Sequence, residues 1–224
     1  MKTLKINCFS IVLIFGMLVS CVELTDYSDP KDSEAPAPVS NVQVENLNGG
    51  AKITYTLPSD KDLLGAKVSY SLTPEGEMLE KYASVDTIEL EGFGDTNEHL
   101  VTVYAVDKSG NVSEGVMETI KPLIPPVELI RETLIAGSTF GGITLSWKNT
   151  EHKDMGVSLF IPDPVDGEWT LFDTYFSNSV NGEVIFRPFE AVNQQFRIEM
   201  FDRWQNNAQP LEVSLTPLAE ILLP

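Results

Sequence analysis

The chain has 224 residues, 42% of them hydrophobic, and carries 33 acidic against 15 basic side chains for a formal net charge of −18. That length suffices for two small domains with real cores, and so acidic a surface repels phosphate backbones and excludes nucleic acid as a partner. With only two cysteines and two histidines, the chain is also too poor in nitrogen and sulfur ligands for a zinc cluster.

Lys2 and Lys5 form a basic leader, followed by an apolar run from Ile6 to Val19. Such a run has the length of a secretory core and falls short of the roughly 20 residues of a transmembrane helix. It ends Leu18-Val19-Ser20-Cys21. A plain signal peptide would carry small residues at both −3 and −1, whereas this ending resembles the lipobox of bacterial lipoproteins. The resemblance implies a signal peptide over residues 1–20 and a diacylglycerol on the Cys21 thiol. Cleavage there removes Lys2, Lys5 and Cys8 and takes the formal charge to −20. With Cys21 acylated, the folded part has no free thiol, so disulfides and cysteine catalysis are excluded. Each buried acyl methylene contributes about 0.8 kcal/mol, enough for several chains to hold the protein at a bilayer.

Residues 21–38 are polar, acidic and proline-containing, which predicts an extended tether. From Val39 the pattern becomes period-two alternation: Ala51, Ile53, Tyr55 and Leu57, then Ala66, Val68 and Tyr70, then Ile88 and Leu90, then Val101, Val103 and Ala105. Asn48-Gly49-Gly50, Pro74-Glu75-Gly76, Gly92-Phe93-Gly94 and Ser109-Gly110-Asn111 separate these runs as turns. Short alternating strands at this spacing predict an antiparallel β-sandwich over 39–122. Pro122–Pro126 breaks the chain and the programme restarts: Gly141-Gly142 matches Gly49-Gly50, Trp147 matches Tyr55, and Lys153-Asp154 matches Lys61-Asp62, all 92 residues on. Phe201-Asp202-Arg203 matches Val106-Asp107-Lys108. A near-constant offset predicts a second, related sandwich over 123–224 and an all-β fold of two tandem antiparallel sandwiches. No stretch holds a convincing 3.6-residue period over three turns.

Val101-x-Val103-x-Ala105-x-Asp107-x-x-Gly110-Asn111 resembles strand F and the F–G turn of a fibronectin type III domain. His99 and Gln194 stand where that pattern has its corner tyrosine, so the corner hydrogen bond must be replaced or missing. The lipobox, the acidic tether, Gly49 to Pro58, Tyr104 to Asn111, Asp202-Arg203-Trp204 and Ser214 to Leu218 together resemble the lipoproteins of Bacteroidota-type polysaccharide-utilisation systems. In that family two domains of unknown function are usually followed by a discoidin-like domain credited with sugar binding; no counterpart is found before Pro224. The resemblance implies a lipid-anchored outer-membrane location, at the cell surface or on the periplasmic face. It also implies polysaccharide, an outer-membrane transporter or other surface lipoproteins as partners.

No catalytic constellation stands out: no Gly-x-Ser-x-Gly elbow, phosphate loop or Ser/His pairing occurs, and no cofactor is expected. Asp107, Ser109, Asn111 and Glu118 fall at positions of a calcium loop, but the glycine is misplaced and a hairpin turn accounts for them, so no metal is expected. Asp163 to Gly167 reads as another turn. Sugar binding would use an aromatic face with polar neighbours. Tyr55, Phe93, Trp147 and Phe196 are assigned to the core by alternation, whereas Tyr104 and Phe201 fall on the outward phase. Trp204 sits in the second F–G turn beside Asp202, Arg203 and Asn206, with His152 in the B–C loop at the same end of the sandwich. Trp204, Arg203, Asp202, Phe201, Asn206 and His152 are therefore the candidate ligand residues, with Trp169 and Tyr175 behind them. Two readings stay open: a glycan-capturing accessory protein, or a spacer and interaction module that binds no sugar. A solvent-facing Trp204 favours the first; a Trp204 packed on the first sandwich or on Pro122–Pro126 favours the second.

Overall fold

The structure is a computed structural model that describes residues 32–219; Cys21 with its lipobox, and residues 220–224, lie outside the described residues. Alternating apolar side chains can be buried only against a second layer, and the chain supplies that layer twice. In the first copy β1 (Ser40–Leu47), β2 (Gly50–Thr56) and β5 (Thr87–Glu91) form one antiparallel sheet, in the order β1-β2-β5. β3 (Leu63–Tyr70), β4 (Leu79–Ala83), β6 (His99–Asp107) and β7 (Val116–Ile120) form the facing sheet, in the order β4-β3-β6-β7. Ile53, Tyr55, Val68, Leu90, Val101 and Val103, all on the expected inward phase, fill the space between them.

The second copy repeats the plan. β8 (Ile135–Thr139), β9 (Gly142–Lys148) and β12 (Asn181–Phe186) pair as β12-β9-β8. Facing them, β10 (Met155–Pro162), β11 (Trp169–Ser177), β13 (Gln194–Asp202) and β14 (Leu211–Leu215) pair as β11-β10-β13-β14. Leu145, Trp147, Val157, Phe196 and Ile198 make its core. Strands A, B and E against C′, C, F and G is the fibronectin type III arrangement, so the all-β expectation holds in both copies.

One short helix interrupts the strands. α1 (Pro126–Glu132) is a single short helix between the sandwiches, with Pro126 in its first turn and Val127 and Ile130 buried in the second core. Two inward residues three apart are too few to show a helical period, and proline at a helix start was the only local signal. The helix is tied down from outside: Arg131 Nε donates to the Gln209 carbonyl (3.0 Å), and the Gln209 N–H donates to the Glu128 carboxylate (3.2 Å). No helix among the described residues is long and apolar enough to cross a membrane.

Both missing corner tyrosines are replaced rather than lost. His99 Nε2 meets Asp95 Oδ1 at 2.8 Å while its ring packs edge-on against Phe93. Gln194 Nε2 donates to the Glu190 carbonyl at 2.9 Å. Each bond runs four residues upstream, as the tyrosine's would in kind. The polar segment also attaches sooner than a tether through Pro38 implies. Pro36 is buried and the Ala37 N–H donates to Asp60 Oδ2 at 3.3 Å.

Candidate functional site at the second F–G turn

The turn between β13 and β14 is built on one carboxylate. Asp202 Oδ1 accepts from the N–H groups of Trp204 (2.9 Å) and Asn206 (3.0 Å), and Oδ2 accepts from Asn206 Nδ2 (2.9 Å). Gln205 takes the left-handed conformation at φ 65° that closes the reversal. Asp202 is 6% exposed and its acceptors are engaged, so it frames the turn instead of facing a ligand. Short side chains that bond their own backbone are the usual means of holding such a turn.

This frame aims the next residues at the first sandwich. The Trp204 indole lies over Gly92, where an added Cβ would come within 2.8 Å of Cδ1 and Nε1. Gly92 also sits at φ 101°, a conformation that side-chain-bearing residues rarely adopt. Asn206 Nδ2 donates to the Gly92 carbonyl at 3.0 Å, and its Oδ1 occupies the space a Cβ on Gly94 would take. The Arg203 guanidinium stacks on the indole at 4.1 Å from the ring centre, and its Nη2 lies 3.7 Å from the Glu91 carboxylate. An electron-rich face holding a guanidinium is a favourable contact of about 1 kcal/mol.

Beside it, Pro126 presses on Gly49, and the cavity left around Gly49, Gly92, Pro126 and Trp204 is only about 20 Å³. A cavity of that size has room for about one water and none for a sugar ring. The proline break is pinned as well, since the Leu123 N–H donates to the Leu47 carbonyl (2.9 Å) and the Leu123 carbonyl accepts from the Gly49 N–H (3.2 Å). Trp204, Arg203 and Asn206 are thus brought together, but against the first sandwich. Trp204 meets the condition that favours the spacer.

Phe201 belongs to a different surface. It lies on the outer face of β13, flat across Gly156 of β10, where a Cβ would come within 2.2 Å of its Cζ. On the far side of Gly156, Phe176 of β11 stands edge-on to it, ring centres 5.9 Å apart and planes at 85°. The pair floors an open groove of about 370 Å³. His152 is set apart at the tip of the B–C loop, exposed and at φ 54°. Trp169 is half-buried at the start of β11, and Tyr175, on the inward phase of that strand but still 38% exposed, meets Trp147 edge-on at 6.3 Å. Phe176 was not among the sequence candidates. The available signal was the Tyr175-Phe176 pair: adjacent strand residues cannot share a face, so one of two aromatics must point outward.

Residues 36–122 match the family model described as Domain of unknown function (DUF4959). Residues 123–224 match the one described as Domain of unknown function (DUF5126). No curated protein matches the chain. Among solved structures, the SusE-like protein BT2857 is 21% identical with a TM-score of 0.37, over 42% of this chain and 32% of that protein's length. A two-domain fibronectin type III segment of chicken tenascin is 12% identical with a TM-score of 0.35, over 80% of this chain and 99% of the segment. The chicken interferon gamma receptor alpha chain is 12% identical with a TM-score of 0.34, over 82% and 100%.

Proposed function

We propose that this chain is a non-catalytic accessory protein of a glycan-utilisation apparatus, anchored at the outer-membrane surface through lipidated Cys21. Its two sandwiches act there as one joined block. The observation that carries the reading is the joint: an aromatic, a guanidinium and an amide of the second F–G turn are spent on Glu91, Gly92 and Gly94 instead of being left to a ligand. A joined block fixes the distance and orientation at which its far end is offered to a transporter or another surface lipoprotein. Confinement at the membrane raises the effective concentration of that encounter. The lipobox supports the anchor, and the family resemblance of the sequence supports the glycan setting.

The joint is tested by calorimetry of the chain from Val22 onward. The wild type is expected to unfold in one transition. Trp204→Ala is expected to lose about 2 kcal/mol and split it in two, in line with large-to-small changes at a partly buried aromatic. Two independent transitions in the wild type, unmoved by Trp204→Ala, would overturn the joined block. The anchor has its own measurement: Cys21→Ser should leave the membrane fraction and accumulate as soluble protein.

A further inference from the structure

The groove floored by Phe176 and Phe201 takes no part in the joint, apart from Arg203 at its edge. Phe176 is 68% exposed, an unusual state for a large aromatic on a strand. Gly156 between the two rings is what lets Phe201 lie flat across the strand. The result is a shallow apolar trough whose volume, about 370 Å³, falls within the roughly 300–1,000 Å³ of small-molecule sites.

Its rim is polar and mixed in kind, with Asp154, Asn178 and Gln205 beside Arg203, whose guanidinium is held by Trp204 and Glu91. The carboxylate can only accept hydrogen bonds, and the two amides both donate and accept. A ligand that satisfies such a rim carries groups that donate and accept at once, which is what hydroxyls do. A ligand that satisfies the floor presents a face of C–H bonds to a ring whose own face is electron-rich. Both demands meet in a pyranose ring, apolar on its face and ringed by hydroxyls. The surrounding charge narrows the class further. With a net charge of −18 and Asp154 at the rim, a polyanionic chain would be repelled.

We propose that Phe176 and Phe201 form the floor of a binding site for a neutral, pyranose-containing glycan, with Asp154, Asn178 and Gln205 engaging its hydroxyls. The site rests on the glycan-accessory reading only for the choice of ligands to try, and the joint stands or falls without it. The experiment is affinity electrophoresis of the chain from Val22 onward through gels containing xyloglucan, mannan or galactan, with polygalacturonate as the anionic counterpart.

At least one neutral polysaccharide should retard the wild type. Phe176→Ala should weaken that retardation about tenfold, the scale of losing one stacked ring. Phe176→Tyr should keep it, as should Trp204→Ala, because Trp204 is turned away into the joint. Thermal unfolding of each variant separates lost binding from lost folding. The proposal is overturned if no neutral polysaccharide retards the wild type, if only polygalacturonate does, or if folded Phe176→Ala migrates like the wild type. In any of these cases a single calorimetric transition would still leave the joined block standing.

Discussion

The two F–G turns are one construction carrying two different loads. In the first, Asp107 Oδ1 accepts from the Asn111 N–H and Oδ2 from Asn111 Nδ2, both at 2.8 Å; in the second, Asp202 and Asn206 make the same pair of bonds at 3.0 and 2.9 Å. The left-handed position is Gly110 in one and Gln205 in the other. Between the framing residues the first turn holds Lys108-Ser109-Gly110 and the second Arg203-Trp204-Gln205. The backbone solution is shared and the side chains it presents differ: Asn111 Nδ2 of the first turn donates to the Glu34 carbonyl, whereas Trp204 and Asn206 of the second meet Gly92 and Gly94 of the first sandwich. The outer grooves diverge in the same way. At Gly65 the first sandwich has a hollow of about 350 Å³ lined by Leu64, Tyr82 and Val106; at Gly156 the second has two aromatics and a polar rim.

If the turns share a frame and differ in load, removing the frame should separate them most sharply. Asp202→Ala frees three donors from a charged acceptor and is expected to cost about 3 kcal/mol. It should also uncouple the sandwiches. Asp107→Ala should destabilise its own sandwich and leave the coupling intact. Calorimetry of the pair decides this, and equal uncoupling by both variants would break the comparison.

A second contrast lies in the cores, where Tyr55 and Trp147 hold corresponding places. Burial, with the nearby Asp86 charge adding to it, pushes the Tyr55 phenol from 10.0 up to about 12. Because the folded value is raised, the stability it contributes is complete below about pH 10 and is lost as pH rises towards about 12. An indole has no such titration, so alkaline loss should start in the first sandwich. Tyr55→Phe should flatten stability across that window, at the cost of the hydroxyl's bond to the Val85 carbonyl (2.9 Å). A wild type and a Tyr55→Phe variant that lose stability equally between about pH 10 and 12 would refute the assignment. The smallest effect is at the left-handed position. Gln205→Gly should change stability by less than about 1 kcal/mol in equilibrium denaturation, because relief of strain is offset by a looser unfolded chain.

The fold was legible in the sequence because burial alone sets a period of two. Ala51, Ile53 and Tyr55, or Val101, Val103 and Ala105, can face only one layer. The duplication was legible because turn residues are dictated by local backbone geometry, so Gly49-Gly50 and Gly141-Gly142 recur wherever the same turn does. The load on the second turn was not legible. An aromatic among polar neighbours looks the same whether its partner is a sugar or a glycine 112 residues away in the chain, and only the approach of Trp204 to Gly92 tells them apart. Phe176 was hidden for a similar reason, since its exposure depends on which of two adjacent aromatics the strand turns inward.

Gly92 and Trp204 also bear on how such chains diversify. A side chain at 92 has nowhere to go while the indole is in place, and a small residue at 204 leaves the glycine uncovered. Neither position is free to drift alone, although they lie in different sandwiches. Exchanging one sandwich for a homologue from another chain should therefore succeed only when its counterpart residue travels with it.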